Sequence, residues 1–325
     1  MKINRVFALL AVFLTVFSLL AGCGEKKAGS IAEPTQAPSL MPTEVIDESP
    51  DAEATFRRST LYFLSDDGYI VPVTKLIPWE EGVAKACLSY MIGSEANDTA
   101  AAELGLNTVI PAGTALSISI ADGNALVDLA GMPTLGSAER ELFMIEAVVN
   151  TLTEFPTVST VTITRDGKGG TLENGTELPV RHGKYPLNPE KTELSVSAGA
   201  EAATLFFPNI SGSLTVPVTR YTSKSPSLYT LVSALIEGSE SRGLMNCFPE
   251  NTLLLGAALE GGTVTVNLSE DFKAAAKTEG MYSLAVRTLW LTLKERFDFE
   301  RLKIQVNGVD YAPEEAEIPL AVNMF

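Results

Sequence analysis

The chain has 325 residues, of which 46% are hydrophobic, so it is long enough for two ordinary domains with apolar cores. It has 24 Lys and Arg against 40 Asp and Glu, a net charge of −16, and no basic stripe, so we expect no nucleic-acid partner. Three cysteines and one histidine are too few for a disulfide framework or a structural zinc site.

The N-terminus has the pattern of a lipoprotein export signal. Lys2 and Arg5 precede an apolar run that is short for a membrane span and ends in Leu20-Ala21-Gly22-Cys23. These four residues resemble the bacterial lipobox, in which the cysteine sulfur receives a diacylglycerol. We predict lipidation of Cys23, with acyl chains such as palmitate holding the protein on the outer face of the cytoplasmic membrane. An uncleaved anchor helix is the alternative.

Residues 23–55 are rich in Pro, Ser, Ala and acidic residues and have no periodic apolar positions. This composition is typical of a disordered, extended linker. We expect it to hold the folded part away from the bilayer.

The rest of the chain is predicted to begin with two strands joined by a turn. TLYFL and YIVPV surround Ser65-Asp66-Asp67-Gly68, which is a hairpin signal. A helix is predicted over roughly 79–92, and Gly93 follows it, where a glycine can adopt left-handed dihedrals. Two further strands, ALSISI and ALVDL, turn at Asp122-Gly123.

A longer helix is predicted near 137–154, followed by a last strand, VSTVTIT. Spacing at three and four residues places several apolar side chains of this helix on one face. They are Leu142, Ile145, Val149 and Leu152.

The same plan then recurs. VPVTK (71–75) returns as VPVTR (216–220), in a colinear series of matches that indicates a tandem duplication of a unit of about 110 residues. The second copy has its own predicted helices at 227–237, followed by Gly238, and near 278–295. The other matching pairs are TLYF with TLFF, IPAGT with FPENT, the hairpin at Asp122-Gly123 with that at Gly261-Gly262, Thr151-Leu152 with Thr292-Leu293, and VTITRDG with LKIQVNG.

The order of elements in each copy is ββαββαβ. Two amphipathic helices on a mainly antiparallel sheet predict two tandem α+β domains, each a two-layer sandwich. Proline cannot donate to a strand ladder, so Pro72 and Pro217 are predicted to lie in edge strands, where they also discourage edge-to-edge aggregation. A direct binding role for the VPVT strands is the alternative.

The predicted segments are a signal peptide at 1–22, a linker at 23–55, a first domain at 56–182, an interdomain linker at 183–200, a second domain at 201–313 and a C-terminal tail at 314–325.

Together these motifs resemble the GerMN domain, and two such domains behind a lipobox and a linker resemble the GerM family of spore-forming Firmicutes. The resemblance covers about residues 56–313. The second copy departs from the first where Asp128 becomes Asn267 and EFP (154–156) becomes ERF (295–297). The resemblance implies a non-enzymatic envelope lipoprotein that supports endospore formation and germination. It implies a place between the mother-cell and forespore membranes and partners among the envelope sporulation proteins, with self-association open.

A search for catalytic chemistry gives no strong candidate. His182, the single histidine, lies in a polar segment between the copies, and Cys87 and Cys247 have no activating sequence context. We expect the two cysteines to be unpaired, and a disulfide between them is the alternative. The motifs of serine hydrolases, zinc proteases and nucleotide-binding proteins are absent, and we expect no catalytic residues, no metal and no cofactor. The carboxylates that a paired-acid hydrolase could use are Asp128, Glu139, Glu141 and Glu146.

The sequence therefore predicts a scaffold or assembly factor that acts through protein–protein contacts. An extracytoplasmic ligand-binding lipoprotein is the first alternative, and a cell-wall hydrolase is the second.

Overall fold

The computed structural model describes residues 56–78, 82–190, 199–222 and 225–325. The predicted signal peptide, Cys23 and the linker at 23–55 lie outside these residues, as do the predicted start of the first helix at 79–81 and residues 191–198. All described residues belong to one compact unit.

The first domain begins with an antiparallel hairpin in which Leu61 lies opposite Val73. Its three closing strands form a second sheet, in which β4 pairs antiparallel with β5 and β5 pairs parallel with β6. The elements are β1 (Phe56–Ser65), β2 (Ile70–Pro78), α1 (Val83–Ser89), α2 (Glu95–Ala102), β3 (Leu106–Asn107), β4 (Ala115–Ala121), β5 (Asn124–Ala130), α3 (Ala138–Thr153) and β6 (Thr160–Thr164).

The second domain repeats this order. It has an antiparallel hairpin, β7 and β8, and a sheet in which β10 pairs antiparallel with β9 and parallel with β11. Its elements are β7 (Glu201–Pro208), β8 (Thr215–Thr222), α4 (Leu228–Glu237), β9 (Leu254–Glu260), β10 (Thr263–Leu268), a 3-10 helix (Glu270–Lys277), α5 (Met281–Lys294), β11 (Arg301–Val306) and β12 (Val309–Asp310).

The helices form a layer that contacts both sheets of their domain. This explains why α3 is buried on nearly all sides over its second half, from Met144 to Leu152. Buried hydroxyls tie each long helix to its hairpin: Thr151 accepts a hydrogen bond from the backbone N–H of Tyr62, and Thr292 accepts one from that of Phe206. The two hydrogen bonds occupy matching positions in the two domains, so the duplication extends to the polar contacts of the core.

The predicted class, two tandem α+β domains, is confirmed, and most predicted elements lie where the sequence placed them. The turns at Asp122-Gly123 and Gly261-Gly262 have positive φ at both residues, as a two-residue hairpin requires. Ser227 caps α4, accepting a hydrogen bond from the N–H of Thr230.

Two details of the sequence predictions are wrong. Gly238 has a positive φ of 87°, but its ψ of −178° lies outside the left-handed helical region. Gly93 does not have a positive φ; a Cβ there would lie 3.2 Å from the backbone nitrogen of Ala112, so close approach is what favours glycine. Leu142 is 41% exposed, whereas Ile145, Val149 and Leu152 are buried. Leu142 stands in the first turns of α3, near an open groove.

Sequence reasoning also missed α2, whose small and charged residues have little apolar periodicity, and the 3-10 helix, in which Phe272 and Ala275 are the buried residues. Within the described ranges, the structure has no helix that is both long and apolar enough to cross a membrane.

Candidate functional site

The two VPVT strands meet at the interface between the domains. Among the described strands, β2 and β8 each have a hydrogen-bonded strand neighbour on one side only, which confirms the edge positions predicted for Pro72 and Pro217. The valines of each motif point into their own domain, where Val71, Val73, Val216 and Val218 are at most 1% exposed. β2 and β8 also contact each other, so each proline faces the other domain.

Asn188, from the segment after the first domain's last strand, bridges the two edges. Its side-chain oxygen accepts from the N–H of Ile70 at 2.9 Å, and its amide donates to the carbonyls of Ile70 at 2.8 Å and Pro217 at 2.7 Å. One side chain therefore satisfies backbone groups of both domains that the sheets leave unpaired.

Asn323, near the end of the second domain, makes the matching set of bonds. Its oxygen accepts from the N–H of Thr215 at 2.8 Å, and its amide donates to the carbonyls of Thr215 and Pro72, both at 2.9 Å. Ile70 and Thr215 occupy the same position, directly before VPVT, so the two asparagines are related by the duplication. We call this set of six hydrogen bonds the asparagine bridge.

Backbone hydrogen bonds beside the asparagine bridge also join each domain's VPVT strand to the segment that follows the other domain. Thr74 of the first domain donates to the carbonyl of Asn323 and accepts from the N–H of Phe325. Thr219 of the second domain donates to the carbonyl of Leu187 and accepts from the N–H of Glu190. Each domain's edge strand is thus covered by the segment that follows the other domain.

The residue that directly follows VPVT is Lys75 in the first domain and Arg220 in the second, and the two side chains have different partners. Arg220 makes a bidentate ion pair with Glu190, with N···O distances of 2.6 and 3.0 Å, and the Glu190 side chain is 1% exposed. Lys75 instead places its ammonium over the ring of Phe325, 3.9 Å from the centroid. Burial alone would raise the pKa of Glu190, but hydrogen bonds and the charge of Arg220 outweigh it and hold that pKa below its ordinary value.

A groove of about 590 Å³ opens between the domains beside this bridge; we call it the interdomain groove. Its buried floor comes from matching positions of the two copies, and its rim holds exposed polar groups. The floor residues are Tyr62, Pro72, Phe206 and Pro217, and the rim includes Glu154, Lys184, Tyr185, Tyr221 and Glu295.

Two glutamates and one lysine set the charge of the groove. Glu154 accepts hydrogen bonds from the hydroxyl of Tyr62 at 2.8 Å and from the ammonium of Lys184. Glu295 occupies the matching position in the second domain, and within the described part of the chain it has no hydrogen bond or ion pair through its side chain. Desolvation raises the pKa of Glu295, a shift that Lys184 opposes and Glu154 increases.

Among the other strands at sheet edges in the described structure, β4 and β9 contact a helix, α1 and α4 respectively, as well as their strand neighbour. β4 and β9 lie at the ends of their sheets, at matching positions, and among the described residues neither has a strand neighbour on its outer side. β4 contains no charged residue and β9 only Glu260. Neither contains the proline or lysine that commonly protects an edge.

The carboxylates that a hydrolase could use do not form one group. Glu141 is 1% exposed and accepts from the backbone N–H and side-chain amide of Asn174, which shapes the loop after β6. Asp128 accepts from the N–H of Gly167 at 2.7 Å, just as Asn267 accepts from that of Gly308 at 2.8 Å. These two acids therefore have structural roles.

Glu139 and Glu146 line one groove of about 670 Å³ beside α3. Desolvation raises the pKa of Glu146 to about 7. Glu139 is exposed and seven residues earlier, about 10 Å along the helix axis.

The remaining candidates are His182, Cys87 and Cys247. His182 is exposed and stacks on Tyr185, with ring centroids 3.9 Å apart. Cys87 and Cys247 are buried and unpaired, as predicted, and burial raises the pKa of both thiols, that of Cys247 to about 12. The described ranges contain no cluster of His, Cys, Asp and Glu suited to hold a metal ion.

Sequence reasoning missed Asn188 and Asn323. They lie in the segments predicted as an interdomain linker and a C-terminal tail. A weak sequence signal was present. Each asparagine directly follows an apolar residue, Leu187 or Val322, and a proline lies a few residues earlier, at Pro186 or Pro319.

Comparison with known proteins gives concordant results. Residues 60–171 and 204–312 match the Germane family, described as sporulation and spore germination. The spore germination protein GerM of Bacillus subtilis (strain 168) is 26% identical over 335 aligned residues, which cover 92% of this chain and 90% of that protein. The solved structure of the tandem GerMN domains of the sporulation protein GerM from Bacillus subtilis has a TM-score of 0.64 and 22% identity, and covers 83% of this chain and 99% of that one.

Proposed function

The chain belongs to the Germane family of sporulation and spore germination proteins, and from this premise we propose that it is a lipid-anchored envelope protein that supports endospore formation and germination as a scaffold. This membership confirms the resemblance to the GerMN domain, and with the similarity to GerM it supports a role in sporulation and germination. The anchoring, the partners and the scaffold mechanism are our proposal.

The observation that carries the scaffold mechanism is the pair of open sheet edges. The chain covers the edges of β2 and β8 with proline and with the asparagine bridge, whereas β4 and β9, which contact α1 and α4, have no strand on their outer sides among the described residues. An open edge offers unpaired backbone groups to an added strand of a partner. Because the bridge fixes one domain against the other, two such edges would be held at a constant separation.

Lipid on Cys23 would raise the local concentration of this body near membrane-bound partners. In sporulating cells, we place it between the mother-cell and forespore membranes. Cys23→Ala should move the protein into the soluble fraction, and full membrane retention of that variant would contradict lipid anchoring.

The partners are tested by pull-down from sporulating cells. We expect membrane sporulation proteins to be recovered with the wild-type chain and to be lost when both open edges are blocked by Ser119→Lys with Ala258→Lys. Ser119→Thr with Ala258→Thr is the matched control, because both side chains are exposed and threonine favours strands without adding charge. Recovery of a small-molecule ligand alone would favour the ligand-binding alternative.

A cell-wall hydrolase is the second candidate, and Glu146 is the observation that favours it, since a carboxyl with a pKa of about 7 in a groove suits a general acid. We propose a non-enzymatic role, since the other carboxyl of that groove, Glu139, is exposed. Hydrolysis of peptidoglycan that is lost in Glu146→Gln would overturn this view.

A further inference from the structure

The shape of the interdomain groove fits a segment of polypeptide. Its floor is apolar and buried: Tyr62 and Phe206 are 3% exposed, and Pro72 and Pro217 stand beside them. Tyr185 and Tyr221 on the rim are partly exposed, so they can pack on apolar groups while their hydroxyls stay in water. Buried apolar floors with aromatic, polar rims are typical of protein interfaces.

The interdomain groove has more acidic than basic side chains. Two glutamates face one lysine, and that lysine is hydrogen-bonded to Glu154. The Glu295 side chain has no hydrogen bond or ion pair with a described residue. Desolvation and the charge of Glu154 raise its pKa, although the charge of Lys184 opposes this shift. A positive group entering the groove would therefore find one carboxylate unpaired and a second, Glu154, with one oxygen free of hydrogen bonds to the described residues.

We propose that the interdomain groove binds an extended segment of a partner protein that carries a lysine or arginine next to apolar residues, an inference that rests on the proposed role in protein–protein contact. The cation pairs with Glu295 and the adjoining apolar side chains cover the floor. Arginine fits better than lysine, because its planar guanidinium can bind a carboxylate through two donors.

The test uses the full chain in nanodiscs of phosphatidylcholine, which carries no net charge, and a fluorescent peptide, Val-Pro-Leu-Arg-Pro-Leu-Val, followed by anisotropy. A second peptide replaces its arginine with glutamine. We expect the arginine peptide to bind about tenfold more tightly than the glutamine peptide, and Glu295→Gln to remove most of that difference.

Two further variants separate the groove from the general negative charge of the chain. Glu300→Gln removes the same charge from an exposed position outside the groove and should change affinity less than twofold. Lys184→Met removes the internal cation and should strengthen binding of the arginine peptide.

Three results would each overturn the proposal. They are equal affinity for the two peptides, equal effects of Glu295→Gln and Glu300→Gln, and weaker binding of the arginine peptide by Lys184→Met. So would tight binding of free arginine amide with no added affinity for the heptapeptide, which would indicate a small cationic ligand. The proposed function can fail separately, since a deletion without effect on sporulation would leave these peptide affinities unchanged.

Discussion

Asn188 and Asn323 exchange partners between the two domains: the amide of each donates to the carbonyl of the proline in the opposite domain's VPVT strand, at 2.7 and 2.9 Å. Proline has no N–H, so its carbonyl is the one backbone polar group that it presents at the edge. The duplication therefore repeats two features: an edge strand, and an asparagine whose amide binds the edge strand of the opposite domain.

Removing either asparagine should destabilise the whole folded unit. Asn323→Ala leaves three backbone groups of Thr215 and Pro72 without their partner in a site that is 5% exposed, and it should cost about 1–3 kcal/mol in the free energy of unfolding. Asn188→Ala should cost less, because its site is only partly buried. Urea unfolding measures both, with Glu300→Ala as a control at an exposed position, expected within about 0.5 kcal/mol of wild type. Wild-type stability of Asn323→Ala would show that the bridge contributes nothing.

The ion pair of Glu190 and Arg220 should make stability depend on acid pH. The pKa of Glu190 is below its ordinary value in the folded protein, so its contribution is complete above about pH 4.3, the unfolded value, and is lost as pH falls through the folded pKa. Glu190→Gln leaves the guanidinium of Arg220 without its carboxylate and should cost about 3 kcal/mol at pH 7. The difference between wild type and variant should shrink as pH falls below 4. A difference that stays constant with pH would contradict the pairing.

Glu146 predicts a pH effect of the opposite sign. Desolvation raises its pKa to about 7, so the folded state holds this proton more tightly than the unfolded chain, and stability falls as pH rises from about 4.5 to 7. Glu146→Gln should be more stable than wild type by about 1–3 kcal/mol at pH 8 and equal to it at pH 4. Unfolding curves at the two pH values provide the measurement. No gain at pH 8 would mean that the carboxylate is well solvated.

Asp128 should tolerate the residue that its counterpart carries. In both domains a side-chain oxygen accepts from a glycine N–H, so Asp128→Asn keeps the bond to Gly167 and should change stability by less than about 0.5 kcal/mol. Asp128→Ala loses that bond and the one from Thr164, and should cost about 1–2 kcal/mol. Equal losses in the two variants would contradict this account, because they would show that the charge of Asp128, and not a neutral oxygen acceptor, stabilises the contact.

The sequence allowed prediction of what depends on local pattern. The hairpin turns followed from Asp122-Gly123 and Gly261-Gly262, and the long helices from their apolar spacing, because each signal lies within a few residues. The asparagine bridge could not be predicted, since Asn323 reaches Pro72 across 251 residues and no local rule assigns that contact. The burial of Glu141 could not be predicted either, because it depends on hydrogen bonds from Asn174, which lies 33 residues further along the chain.

We propose that the protein supports sporulation by holding partners at the outer edges of β4 and β9. The most direct test deletes the gene in its own organism and counts heat-resistant spores after restoring wild type, the Ser119→Lys with Ala258→Lys pair, or the threonine control pair. We expect the deletion to lower the spore count, and the wild type and the threonine pair to restore it. We expect the lysine pair to accumulate as folded protein without restoring it. A normal spore count in the deletion strain, or full restoration by the lysine pair, would contradict the claim.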